Sequence, residues 1–329
     1  MRDLPRDRVV INRPFEKIGL DFAGPVITKP NLKRSRVTLT SYIAVFICFS
    51  TNAIHLEVVS DMSNEAFLAC LRRFIARRSK LSIVWCDNAT NFKGTKNVLD
   101  ELFRICRSDP IQSFSSEEGM TWRFIPPSST EFGGLWEANI KSIKRILTKV
   151  AKTTIFNFEE LYTLITQIEA CLNSRPLSPI SADPTDLQPL TPGHFLIGAP
   201  LLSIPEPNDS VDSLTFSSRW TLIQNFRAHF WNRWSVEYLN HLQNRSKWNQ
   251  VKSNLKAEQL VLLKDKNKIL MKWTLARIEE IFSGPDGLVR VVDVTTSDGI
   301  FRRVVSNISP LPFPNNVGQL SNGGRDIPV

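Results

Sequence analysis

The sequence has no apolar run long enough for a membrane helix. Its longest, residues 42–49, falls far short of the ~20 residues a span requires. The N-terminal stretch MRDLPRDRVV is charged and carries no apolar signal core, so no signal peptide is expected. No CxxC pair occurs. Cys48, Cys70, Cys86, Cys106 and Cys171 are scattered, as expected of free, buried thiols in a reducing compartment. His55, His194, His229 and His241 make no zinc-ligand spacing with them, and no zinc is expected. The absence of repeats, heptads and a collagen-like period excludes solenoid, coiled-coil and fibrous architectures.

What is present is an ordinary globular balance: 329 residues, 42% apolar and 22% charged. At ~100–200 residues per domain, this predicts two or three domains. The net charge is +9, from 41 basic and 32 acidic side chains, which favours a polyanionic partner.

The pattern along the chain predicts α/β. Residues 1–16 read as an extended arm. Residues 18–25 (IGLDFAGP) read as a short buried strand ending in a Gly-Pro turn, and 41–49 as a strand buried on both faces. A third strand is expected at 53–60, and the basic loop 29–36 separates the first two. Residues 64–78 are expected as a helix capped by Ser63, with Phe67, Leu68, Leu71, Phe74 and Ile75 at helical spacing. Then come a strand at 81–86, a helix at 93–107, a polar loop at 108–120 and a strand at 122–125. A long helix is expected from Gly133-Gly134, and another over 156–172. The sheet is expected to be mixed.

Residues 173–212 are Pro-rich, and 217–248 form an aromatic helix that suits a core or subunit interface better than base stacking. From Glu258 onward the pattern is strand-like, with Asp286-Gly287 and Asp298-Gly299 as hairpin signals. A small antiparallel barrel is expected there, followed by a flexible tail.

Three carboxylates stand out. Asp21 lies inside an apolar strand, Asp87 directly follows another, and Glu137 lies one turn into a helix. If the first and fourth strands are neighbours, Asp21 and Asp87 converge at the strand ends, where ligands gather in open sheets. Glu137 can complete the set from the adjacent helix. Such a cluster suits two Mg²⁺ or Mn²⁺ ions and phosphoryl transfer. Taken singly, each residue also suits a turn, a cap or a helix-dipole contact, and spacing alone leaves both readings open. Lys141 and Lys144 share the helix face of Glu137, in a region with no acid from 138 to 158. A solvated face and a phosphate contact are both compatible with that pattern.

The motifs RPFEKIGLDFAGP, AIHLEVVSDMSNEAFLACLRRFIARR, WCDNATNF and FIPPSSTEFGGLWEANIKSIKRIL resemble, in order and spacing, the integrase region of BEL/Pao-type LTR retrotransposons. The resemblance runs from about residue 13 to 312. It implies an RNase H-like core with a D,D,E triad of Asp21, Asp87 and Glu137 holding two divalent metals. It further implies 3′-end processing of element DNA and strand transfer into target DNA. Asn88, Lys141 and Lys144 are then expected on DNA. Glu101 and Glu131 compete as third ligand; Glu131 precedes the Gly-Gly entry and Glu101 belongs to the preceding helix, so Glu137 is preferred. Thr130-Glu131 departs from the Pro-His expected there.

The implied organisation is an arm (1–16), a catalytic core (17–175), a Pro-rich linker with aromatic helices (176–250), an SH3-like barrel (256–312) and a tail (313–329). Residues 244–277 hold nine lysines and arginines against Glu258 and Asp265. Lys264, Lys266, Lys268 and Lys272 of that run are expected DNA contacts. The resemblance also implies a homo-oligomer, nuclear action and no membrane partner. The N-terminal HHCC zinc domain usual in such integrases does not precede Asp21, which reads as a fragment of a larger polyprotein or a degenerate copy. Two competing readings remain: an integrase-derived DNA-binding scaffold without catalysis, and an RNase H-like nuclease that hydrolyses without joining.

Overall fold

The structure is a computed structural model. It describes residues 10–30, 36–86, 101, 104–124, 143–147, 154–181, 183, 185–203, 219–243, 254–264 and 269–312. These fall into two compact units. One takes the described residues of 1–175, 191–238 and 267–272; the other those of 176–190, 239–266 and 273–329. The stretch expected as a linker is thus divided between the two.

The first unit is built on a mixed sheet. Its strands are β1 (Lys17–Lys29), β2 (Leu39–Cys48), β3 (Ile54–Val59), β4 (Ile83–Cys86) and β5 (Thr121–Phe124), in the order β3-β2-β1-β4-β5. β1, β2 and β3 are antiparallel neighbours; β4 runs parallel to β1 and β5 parallel to β4. A short strand β6 (Phe156–Asn157) pairs parallel with the far end of β1. This is the expected α/β arrangement, a mixed sheet flanked by helices.

Helix α1 (Asn64–Arg78) begins where Ser63 accepts a hydrogen bond from the Ala66 amide at 3.2 Å. Its Phe67, Cys70, Leu71 and Phe74 pack on Ile18, Leu20, Phe22, Ala44 and Phe46 of the sheet. Because side chains alternate along a strand, Asp21 lies on the opposite face from Leu20 and Phe22. Helix α3 (Phe158–Asn173) buries Leu161, Leu164, Ile165, Ile168 and Leu172.

Three local expectations change. The Gly24-Pro25 pair does not end β1. The register shifts between Ala23 and Val26, and the strand continues to Lys29. Proline lacks a ladder donor, so the pair sits at an irregularity within the strand. Gly24 has φ +136, and a Cβ there would meet Tyr42 Cδ1 at 3.1 Å. The expected loop 108–120 holds helix α2 (Asp109–Glu117), with Pro110 in its first turn and Ile111 and Ser115 buried. Residues 156–157 form β6, and α3 starts one residue later at an Asn157–Glu160 capping box.

Two further helices are α4 (Pro192–Ile197) and α5 (Arg219–Leu242). Phe230, Trp231, Trp234 and Tyr238 of α5 are buried, with the Trp234 and Tyr238 rings stacked at 5.6 Å.

The second unit contains a two-stranded ribbon, β7 (Ser178–Pro179) with β8 (Pro189–Leu190). It also contains β9 (Leu260–Leu263), β10 (Leu275–Ser283), β11 (Val289–Thr296), β12 (Gly299–Val304) and β13 (Ile308–Pro310). These form an antiparallel sheet in the order β12-β11-β10-β9-β13. A 3₁₀ turn (Val305–Asn307) precedes the last strand, which returns to pair with β9; this antiparallel sheet stands where the small SH3-like barrel is expected. Val261, Leu263, Ala276, Ile278, Val292, Val294 and Ile308 form its core.

Candidate active site

The parallel pair β1–β4 decides what the strand ends bring together. Its register places Leu20 opposite Cys86. Asp21 follows Leu20, and Asp87 follows Cys86 in the chain. Asp87 itself lies outside the described residues, as do Asn88, Glu131, Glu137 and Lys141.

Asp21 is 7% exposed, with Val45 of β2 as its pairing partner. Burying a carboxylate is costly unless its oxygens are satisfied. Oδ1 accepts the Phe22 amide at 2.8 Å, and Oδ2 is ion-paired with the Lys144 ammonium. Lys144 is held by a helical stretch, 143–147, whose Ile143, Ile146 and Leu147 are buried. The expectation for Lys144 was DNA; here its partner is Asp21. Its neighbour Arg145 pairs with Glu237 of α5.

A buried carboxylate whose outward oxygen already holds a cation has the donor chemistry a hard divalent ion requires. Among the described residues, no group of three or more His, Cys, Asp or Glu is placed to hold a metal. Glu101, the competing third acid, is paired with Arg104 three residues on.

The carboxyl end of β5 adjoins this strand end, since Phe124 pairs with Cys86. A cleft of about 570 Å³ flanks it, lined by Arg107, Gln112, Met120, Thr121, Trp122 and Phe124. The Arg107 guanidinium lies 5.0 Å from the Phe124 ring centroid.

A second polar cluster was not anticipated. His55 and Glu57 lie two apart on β3, so both project to the α1 face. Glu57 accepts from Arg73 Nε at 2.9 Å and Arg77 Nη1 at 2.8 Å, and lies 3.2 Å from His55 Nε2. His55 Nδ1 lies 3.2 Å from Glu169, which also pairs with Arg78 at 2.5 Å. Burial opposes the His55 charge, but the hydrogen bonds to Glu169 and Glu57 outweigh it and raise its pKa; Arg78 works against them. Burial likewise opposes the Glu57 charge, yet His55 and Arg73 lower its pKa. The only sequence signal was a His and a Glu alternating in an apolar strand.

Of the expected barrel contacts, Lys266 and Lys268 lie outside the described residues and Lys272 is exposed. Lys264 donates to Asn240 at 2.9 Å and Gln243 at 2.7 Å, so its ammonium joins the barrel to the end of α5. Arg277, counted in the same basic run, is buried and donates to three backbone carbonyls: Glu258 at 2.7 Å, Asp183 at 3.0 Å and Asp186 at 2.7 Å.

Residues 218–311 match a family described as "Family of unknown function (DUF5641)", which spans α5 to the barrel. No curated protein matches the chain. Among solved structures, the chain is similar to a simian T-cell lymphotropic virus intasome in complex with PP2A regulatory subunit B56 gamma. That likeness has 11% identity and a TM-score of 0.38, covering 95% of this chain and 85% of that one. It is also similar to the catalytic core domain of BIV integrase, at 13% identity and TM-score 0.34, covering 56% of this chain and 95% of that one. No described helix is long and apolar enough to cross a membrane.

Proposed function

We propose that this chain is an integrase of the BEL/Pao retrotransposon type, a polynucleotidyl transferase that processes the 3′ ends of element DNA and joins them to target DNA. The observation that carries the reading is the β1–β4 register, in which Leu20 and Cys86 are paired and each directly precedes an aspartate. The RNase H-like strand order supports it, as does the motif series from GLDFAGP to GGLWEANIK.

In this reading Asp21, Asp87 and Glu137 hold two Mg²⁺ or Mn²⁺ ions. When bound, such a pair activates the attacking oxygen and stabilises the leaving one. Asp21 is pre-oriented for ligation, because the Phe22 amide fixes Oδ1 and leaves Oδ2 facing a cation. Asn88, Lys141 and exposed Lys272 are assigned to DNA phosphates. The catalytic core is 17–175, and the barrel at 256–312 adds affinity for DNA. A homo-oligomer acting in the nucleus completes the proposal.

A disintegration assay on branched DNA with Mn²⁺ tests it, comparing wild type with Glu137→Gln. Activity in wild type and its loss in the variant, with DNA affinity kept, is the expected result. Equal activity in both would remove Glu137 from the triad. Inactivity of both, with the protein folded and bound to DNA, would favour the DNA-binding scaffold. Hydrolysed products without any joined strand would favour a nuclease.

A further inference from the structure

We infer that Lys144 is the resident counter-ion of Asp21, displaced when a divalent cation binds, and that this exchange couples metal loading to nucleic-acid binding. The inference rests on the reading of Asp21 as a metal ligand and goes beyond it. It assigns Lys144 two alternative partners and makes it a positioning residue for the carboxylate.

Asp21 is nearly enclosed, and of its two oxygens one is committed to the Phe22 amide. The other is the oxygen without a backbone donor and so the one more open to a cation, and the Lys144 ammonium holds it. Two like charges cannot share that oxygen at contact distance without strong repulsion, least of all where water is scarce. Metal ligation through Oδ2 therefore requires the ammonium to leave.

The backbone need not move for this. Ile143, Ile146 and Leu147 anchor the helical stretch, while Lys144 carries its charge on a flexible four-carbon stem. Its side chain is 25% exposed against 9% for Asp21, so it has a way out to solvent. Once released, the ammonium stands beside the metal site with three free donors. A phosphate oxygen of a bound nucleic-acid strand is the acceptor this geometry offers. Metal binding then frees a DNA contact, and by linkage DNA that holds Lys144 favours metal.

The test is a calorimetric titration of Mn²⁺ alone into the full chain without DNA, comparing wild type, Lys144→Met and Lys144→Arg. Removing the competing charge in Lys144→Met is expected to tighten Mn²⁺ binding by roughly 5- to 50-fold. Lys144→Arg, which keeps a cation on Asp21, is expected to stay near wild type. A merely structural lysine would give the opposite sign, since its loss would loosen the site and weaken metal binding. Equal or weaker Mn²⁺ binding in Lys144→Met overturns the exchange while leaving Asp21 a metal ligand. No saturable Mn²⁺ binding in any variant overturns the ligand reading and the exchange together. Thermal melts verify that each variant is folded.

A second readout is the salt dependence of DNA binding. Mn²⁺ is expected to steepen the wild-type slope by about one contact and to leave the Lys144→Met slope unchanged. An identical Mn²⁺ response in both would also overturn the exchange.

Discussion

The side-chain amide of Asn173 pairs with the backbone of Ile54 at both ends, accepting from its N–H at 2.8 Å and donating to its C=O at 2.7 Å. Ile54 opens β3, an outer strand of the mixed sheet. One helical turn earlier, Glu169 accepts the Leu56 amide at 2.8 Å. Helix α3 thus stands where another strand would add, and removes an open edge that could pair with other chains. Asn173→Ala leaves two buried backbone groups without partners. It is expected to lower the unfolding free energy by roughly 2–4 kcal/mol in urea titrations. A loss below about 0.5 kcal/mol, the range of ordinary surface changes, would mean that the edge is satisfied in some other way.

The cluster around His55 sets a stability window in pH. The His55 pKa is raised from 6.5, so its contribution is complete below 6.5 and fades as pH rises through the folded value. The Glu57 pKa is lowered from 4.5, so its contribution is complete above 4.5 and is lost as pH falls through the folded value. The facing charges are Arg73, Arg77 and Arg78 from α1 and Glu169 from α3. From these two groups, the melting temperature is expected to be highest between pH 4.5 and 6.5. His55→Gln is expected to flatten the alkaline limb. A wild-type melting temperature that climbs steadily above pH 6.5 would contradict the raised histidine.

Local patterns were legible where a single element contains its own explanation. Ser63 followed by Phe67, Leu71 and Phe74 specifies the start and buried face of α1, and the apolar run of β2 specifies a central strand. Helix α2 was hidden because its buried face has few apolar residues, chiefly Ile111 and Phe114. The start of α3 was misplaced because Phe156 continues the apolar pattern, whereas the Asn157–Glu160 box fixes the boundary. At the site, Asp21 was visible as an acid in an apolar strand. Its ion pair with Lys144 was not, since it joins a strand to a helix far along the chain. The intramolecular partners of Lys264 and Arg277 were equally out of reach, because a count of charges does not know which way the side chains turn.

Arg277 fastens the segment 176–190 to the barrel strands through hydrogen bonds to backbone carbonyls. Arg277→Met keeps much of the buried volume but removes every donor. The expected cost is roughly 2–4 kcal/mol, with three carbonyls losing a charged partner. In hydrogen exchange, residues 185–190 are expected to lose protection before β10 and β11 do. Unchanged protection would mean that the segment keeps its order without the Arg277 donors, through its own ribbon bond from the Leu177 amide to the Leu190 carbonyl at 2.7 Å.

Lys264 and Lys272 belong to one basic run but are expected to respond differently to replacement. The Lys264 ammonium is engaged by Asn240 and Gln243, so Lys264→Ala removes hydrogen bonds that hold the end of α5 to the barrel. A loss of about 1 kcal/mol would lower the melting temperature of a unit this size by roughly 4–8 °C. The salt dependence of DNA binding should stay as in wild type. Lys272 is exposed, and Lys272→Ala is expected to leave the melting temperature unchanged. If Lys272 meets a phosphate, its loss reduces the slope of log affinity against log salt by about 1. Fluorescence anisotropy with one duplex over a range of salt concentrations separates the two cases. A flattened slope in Lys264→Ala would show that its ammonium exchanges Asn240 and Gln243 for phosphate when DNA binds, and the junction between α5 and the barrel would then be part of the DNA-binding surface.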